Sequence, residues 1–259
     1  MRTGLTRAAV LAAGLLMSGC AGSGVPVDAT PEEMLAHAQA KLDRGKFYDA
    51  AETLEFFLRT YPGNAGTPIA KLRLGDAKFG LGEYVLASSY FTDVVEDFPA
   101  SAWVEEARFK IAKCAFESSH PYNRDQTETQ RALTLFDDFR RDFPESRFLG
   151  EVEEARSECR DRLAHREFDA GRFYEKQDRR RSAYIQYQYV LDTYPDTVWA
   201  APACLRIGEI LKERGEDERA EPYLRRVLRD WPGSDEATAA RETLDALTVA
   251  GLDRNGGDS

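Results

Sequence analysis

The first residue able to carry chemistry is Cys20. Ser18 and Gly19 precede it, then an uncharged run from Ala8 to Met17, with Arg2 and Arg7 at the front. A cationic start, a short apolar stretch and small residues ahead of a cysteine make a secretory signal of the bacterial kind, and the run is too short to span a bilayer permanently. The same residues form a lipobox, with Met17 where leucine is usual. Cleavage before Cys20 is expected, leaving a diacylglyceryl thioether on its sulfur and an acylated amine. Several acyl chains on one residue anchor a protein stably without a spanning helix. The alternative is an ordinary signal with an incidental cysteine. Elsewhere the reactive residue types do not group. His37, His120 and His165 each stand alone, and none has a second histidine or a cysteine at metal-ligand spacing. There is no GxSxG, no glycine loop to cradle a phosphate and no HExxH. The pairs Glu105-Glu106 and Glu153-Glu154 read as solvated helix faces. The expectation is a chain that is not an enzyme, with no cofactor and no metal.

Charge and cysteine usage agree. Removal of residues 1–19 takes away two arginines and no acid, so the net charge of −10 becomes −12. Such a surface argues against general nucleic-acid binding. Cys114, Cys159 and Cys204 are the remaining cysteines, without a CxxC. They read as small buried helix residues, with one disulfide as the alternative.

The elements around these residues follow from a repeat. Five residues after Gly45, Gly82, Thr127, Asp178 and Gly215 stand Ala50, Ala87, Ala132, Ala183 and Ala220. Nine after them come Leu54, Phe91, Phe136, Tyr187 and Leu224, and twelve after, Phe57, Val94, Phe139, Val190 and Val227. An aromatic sixteen on closes each copy (Tyr61, Phe98, Phe143, Tyr194, Trp231), and a proline follows every one. Steps of four, three and four line one stripe of a helix, which the proline stops. Asn64, Ser101, Ser146, Thr197 and Ser234, two residues past the prolines, are of the types that cap a following helix. A first helix in each copy carries a small residue, Ala38, Gly75, Ala112, Gly171 or Gly208, so that two helices can approach closely. The prolines are spaced by 37, 45, 51 and 37. Both long spacings can be placed: an insertion of about eight residues, His120 to Thr127, between the helices of copy three, and fourteen residues lengthening the first helix of copy four. Fourteen residues are close to four turns, so the register survives.

This pattern resembles the tetratricopeptide repeat, stretched by a few residues. The resemblance implies an all-α fold, an α-solenoid of five helix pairs with a C-terminal capping helix. The expected copies are about 31–63, 64–100, 101–145, 146–196 and 197–233, with a cap at 234–248. Thr30, Pro31 and Glu33 mark the start of the first helix. Residues 20–29 would be a lipidated cysteine and tether after the signal of 1–19, and 251–259 a disordered polar tail.

In tetratricopeptide arrays the first helices line a groove. The corresponding positions are Leu35 and Leu42, Ile69, Leu72 and Phe79, then Phe109 and Phe116, with Lys113 nearby to meet a carboxylate. They imply a ligand segment with large apolar side chains. With the register displaced by one, the same residues are core. Copies four and five gather Arg172, Arg179, Arg180, Arg181, Arg225, Arg226 and Arg229, with Tyr184, Tyr187 and Tyr189 among them. Arginine and tyrosine are favoured interface anchors, so Arg180, Arg181, Tyr184, Arg225, Arg226 and Arg229 are candidates for docking a second protein. A solvated face is the alternative for each arginine.

The lipobox, five repeats, the insertion and the lengthened helix together resemble the BamD family of outer-membrane lipoproteins. The local likeness runs from Asn123-Arg124-Asp125 through Phe143-Pro144-Glu145-Ser146 and Cys159-Arg160-Asp161-Arg162-Leu163-Ala164 to Gly171-Arg172-Phe173-Tyr174. The resemblance implies a scaffold in β-barrel assembly at the outer membrane, facing the periplasm. Its N-terminal repeats would receive unfolded outer-membrane proteins and its C-terminal repeats would hold a BamA-like barrel protein, among other assembly-machine subunits. Ala21 after the cysteine, rather than aspartate, is similar to lipoproteins sorted to the outer membrane. The insertion is shorter than in some relatives, and Arg179 to Arg181 replace a glycine-containing turn. A pilotin-like or other envelope scaffold is the alternative function. Glu117-Ser118 resembles the catalytic pair of helical lytic transglycosylases, but the glycine-rich segment expected downstream is missing.

Overall fold

A computed structural model describes residues 29–256, with side chains through 248. The signal segment, Cys20 and most of the tether lie outside the described residues. Among the described residues there are 11 helices and no strand. In order they are α1 (Pro31–Asp43), α2 (Phe47–Thr60), α3 (Thr67–Gly80), α4 (Tyr84–Asp97), α5 (Val104–Glu117), α6 (Thr127–Asp142), α7 (Leu149–Lys176), α8 (Arg180–Thr193), α9 (Ala200–Glu213), α10 (Asp217–Asp230) and α11 (Asp235–Gly256). Each packs on its neighbours in sequence, and α1 also touches α3, α5 touches α7, and α9 touches α11. That is the contact pattern of stacked helix pairs.

The periodic residues are the core. Ala50, Ala87, Ala132, Ala183 and Ala220 are fully buried, as are Leu54, Phe91, Phe136, Tyr187 and Leu224. The small residue of the first helix lies against the large one of the second. A methyl group on Gly75 would come within 2.4 Å of the Phe91 ring, one on Gly171 within 2.5 Å of Tyr187, and one on Gly208 within 2.7 Å of Leu224. The aromatic at the end of each second helix occupies its C-cap outside the helical region, with φ from −123° at Tyr61 to −134° at Trp231 and ψ between 48° and 66°, as a residue before proline is pushed to be.

Helix starts follow two designs. Thr30 caps α1 in a reciprocal box: its hydroxyl accepts from the Glu33 amide at 3.2 Å, and its own amide donates to Glu33 Oε2 at 2.9 Å. Later first helices begin further on than their polar residues lead one to expect. Asn64, Ser101 and Ser146 accept the amides of Gly66, Trp103 and Phe148, shaping the turn before the helix, and Thr197 donates to the Tyr194 carbonyl. Ser234 does accept a helical amide, that of Ala237, at 3.1 Å. The chain reverses direction within each pair through a left-handed residue: Gly45, Gly82, Asp178 and Gly215. In the third pair that single turn is replaced by the segment between Glu117 and Thr127.

The two irregularities lie where the proline spacings put them. The helix α7 has 28 residues against 14 for α3, α5 and α9. At the C-terminus α11 continues to Gly256, past the expected end at 248, so 251–256 of the expected tail are helical. No proline interrupts this stretch, and alanine and leucine recur through it. Cys114, Cys159 and Cys204 are free and buried, so the disulfide alternative does not hold. Burial pushes the thiols of Cys114 and Cys159 up to about 12 and that of Cys204 up to about 11, and all three stay protonated at neutral pH.

Candidate functional site

Two of the side chains expected to line an apolar groove along the first helices do not reach the surface. Leu72 is fully buried and Phe109 is 3% exposed, both inside the core. Phe109 stacks on Phe148 with centroids 4.5 Å apart and tilts against Phe139 at 5.9 Å. Leu35, Phe79 and Phe116 are half-buried and lean on the same packing: Leu35 against the first core, Phe79 edge-on to Tyr84, Phe116 edge-on to Phe136 and under the Arg162 guanidinium. Lys113 does reach the surface, but its ammonium meets Glu151 at 3.2 Å and lies 5.3 Å from the Phe109 ring centroid. Leu72 and Phe109 are core residues, as the displaced register has them. A first helix inside the array packs on its own partner and on the preceding pair, so two apolar stripes are buried and neither is groove.

A ladder of charges joins the first helices instead. Arg73 of α3 meets Asp76 at 2.8 Å and Glu106 of α5 at 2.9 Å. Lys110 of α5 reaches back to Asp76 at 2.5 Å and to Glu106 at 2.7 Å, and Arg147, ahead of α7, adds a contact to Glu106 at 3.2 Å. Burial opposes ionisation of Glu106, but the hydrogen bonds and charges of Lys110 and Arg73 together outweigh it and hold the carboxyl below its usual range. The Arg73 Nε is a buried donor without an acceptor among the described residues. From α5 the ladder passes to α7 through Lys113 and Glu151. From α7 it passes to α9 through Glu175, which accepts from Arg206 at 2.6 Å and from the buried Tyr187 hydroxyl at 2.8 Å. Its sequence signal was charge at first-helix positions three and four apart, such as Arg73 with Asp76 and Glu106 with Lys110.

Toward the C-terminus the candidate arginines are mostly tied to their own surroundings. Arg225 pairs with Glu221 at 2.7 Å, while Arg226 and Arg229 share Asp230 at 3.3 and 2.7 Å. Arg180 pairs with Asp178 and with Glu213 of α9. Tyr184 shares a hydrogen bond with the Tyr223 hydroxyl at 3.2 Å, and Tyr223 donates to Gln188 at 3.0 Å, which ties α8 to α10. Arg181 is exposed and meets no carboxylate among the described residues. It heads an outward stripe of α8 with Ile185, 55% exposed, and Tyr189, 46% exposed, at successive steps of four. Ile185 was missed by sequence reasoning, although it stands where the other copies have Glu52, Ser89, Thr134 and Pro222.

Among the described residues no group of three or more His, Cys, Asp or Glu is disposed to hold a metal, and no helix is long and apolar enough to cross a membrane. The arrangement offers surfaces rather than a pocket of converging reactive groups.

Known proteins resemble the chain as follows. The assembly factor BamD of Rickettsia prowazekii is 25% identical over 228 residues, 87% of this chain and 91% of that protein. BamD of Caulobacter vibrioides is 26% identical over 224 residues, 85% of this chain and 73% of that one. Among solved structures, a TPR repeats protein from Bacteroides fragilis aligns at a TM-score of 0.46 and 12% identity, covering 85% of this chain and 99% of that chain. The YfiO family, described as outer membrane lipoprotein, matches residues 27–246, nearly all of the described solenoid, and the chain belongs to that family.

Proposed function

We propose that this chain is a non-enzymatic scaffold of the outer membrane that takes part in assembling and inserting β-barrel proteins, anchored through lipidated Cys20 and facing the periplasm. The single observation that carries the reading is the family match over the solenoid, from residue 27 to 246. Both curated relatives are named outer membrane protein assembly factors. The geometry adds two surfaces of different character. The charged ladder of the first helices carries Arg147, whose side chain is 73% exposed and whose guanidinium can meet a carboxylate of an unfolded segment. The outward stripe Arg181, Ile185 and Tyr189 of α8 combines an arginine, an aliphatic side chain and an aromatic ring, the composition of an interface centre, and suits the periplasmic domains of a BamA-like barrel protein.

Capture of partners from the native envelope in mild detergent, with identification by mass, tests the reading. Recovery of a barrel protein bearing periplasmic repeat domains is expected. Its loss in Ile185→Glu with Tyr189→Glu, but not in Arg225→Glu with Arg226→Glu, would place docking on α8 rather than on the paired arginines of α10. Recovery of a secretin or a cell-wall synthase in its place would overturn the function. Fractionation of Cys20→Ala addresses the anchor separately: the variant is expected to leave the outer-membrane fraction, and its retention there would refute the lipobox.

A further inference from the structure

The two irregular segments of the solenoid meet each other. The segment between α5 and α6 is fixed from inside by the buried Gln126, whose amide donates to the carbonyls of Pro121 at 2.8 Å and Arg124 at 3.2 Å while its Oε1 accepts from Thr129 at 2.9 Å. From outside it is held by α7: the Tyr122 ring stacks on His165 at 3.3 Å between centroids, and His165 stacks in turn on Trp199 at 3.8 Å. Between the fixed segment and the lengthened helix lies a cleft of about 620 Å³.

Two guanidiniums border this cleft, Arg124 from the segment and Arg166 from α7, with the Asn123 amide beside them. Both arginines are exposed, and neither forms a close ion pair among the described residues, although the charge of Arg166 is felt at Asp125. Arginines that link helices elsewhere are paired, as Arg108 is with Asp142, Arg156 with Asp137 and Arg206 with Glu175. The carboxylates in the cleft are engaged with other groups. Asp125 accepts from the Thr127 hydroxyl at 2.7 Å and amide at 2.9 Å, and these bonds, with a smaller contribution from the Arg166 charge, hold it below its usual range. Asp169 faces Arg172 at 3.5 Å and His165 at 3.9 Å. Along α7, Arg166, Ala170 and Phe173 follow at steps of four and three and so share one face. The Phe173 ring on it is 58% exposed.

We propose that this cleft binds an acidic peptide segment of a partner protein, with a carboxylate held between Arg124 and Arg166 and an adjoining apolar side chain resting on Ala170 and Phe173. Forked guanidiniums match carboxylates, and their charges stand out in a chain whose net charge is −10. A bare phosphate would use the cations but not the apolar shelf. The site is separate from the first-helix ladder and from the α8 stripe, and it stands or falls without them.

The probe is an N-acetylated, C-amidated peptide Gly-Phe-Asp-Glu-Phe-Gly, titrated calorimetrically into the full chain in detergent at low salt. Binding is expected in the range of about 100 μM, weakening severalfold when ionic strength is raised to about 0.5 M. The double variant Arg124→Ala with Arg166→Ala should weaken it at least tenfold, and Phe173→Ser severalfold. A second measurement needs no variant: the same peptide with asparagine and glutamine in place of its acids should not bind the unaltered protein. Equal binding of the neutral peptide, unchanged affinity in a folded double variant, or displacement of the peptide by an equal concentration of inorganic phosphate would each overturn the proposal.

Discussion

Asp178 takes the left-handed turn that glycine takes in three other pairs, with φ of 58° against 69°, 76° and 72° at Gly45, Gly82 and Gly215. A side chain in that region is strained, although aspartate tolerates it better than most. Asp178→Gly should therefore raise stability by about 0.5–1 kcal/mol in denaturant unfolding. The exposed contact to Arg180 that it removes is worth little. Gly171 presents the opposite case. An added methyl would meet the Tyr187 ring, and that ring cannot swing aside because its hydroxyl is bonded to Glu175, itself held by Arg206. Gly171→Ala should cost about 2–3 kcal/mol. Gly150, on the same helix with no atom within 4 Å of an added methyl, is the internal control. Gly150→Ala should stabilise by up to about 1 kcal/mol. Equal effects at the two positions would show that close packing does not select glycine at 171.

At the scale of elements, the second helices were legible and the first helices only in part. A second helix has one apolar stripe ended by an aromatic and proline, and Ala183, Tyr187 and Val190 all stand buried where that stripe puts them. A first helix buries two stripes, one for its partner and one for the preceding pair. A shift of one residue turns a side chain by about 100°, which is how Leu72 and Phe109 passed for groove. Asn64, Ser101 and Ser146 were of the right type but bonded one step early, because the backbone makes a tight turn before those helices begin. Charge spacing could have found the ladder, and Glu106 tests its weight. The folded pKa of Glu106 lies below the unfolded value of about 4.3, so the stabilisation is complete above that value and is lost as pH falls through the lower, folded one. Glu106→Gln should cost about 1–2 kcal/mol at pH 7. The difference from the unaltered protein should shrink as pH falls below about 4. A difference independent of pH would mean that Glu106 contributes by packing rather than by charge.

Over the whole molecule the core is divided unevenly. The cluster from Phe109 to Ala240 runs without a break through α5 to α11 and contains six aromatic residues, including Phe136, Phe139 and Tyr187. The cluster joining α1, α2 and α3 has Phe57 as its one aromatic and draws five of its members from alanine. Because each pair of a solenoid leans only on its neighbours, local stability should follow this division. Amide exchange is expected to be fastest in α1 and α2 and slowest around α7 to α9. A substitution in the C-terminal core tests the same division from the other side. Ala183→Glu puts a charge where α7 and α8 meet and should cost more than about 3 kcal/mol, opening α7 to α9 while α1 to α3 keep the protection of their own smaller core. Loss of protection at the same rate in every helix would mean that the two clusters unfold as one unit. The long helix α7 would then be the coupling element, since it joins the ladder, the stacked Tyr122–His165–Trp199 rings and the main core.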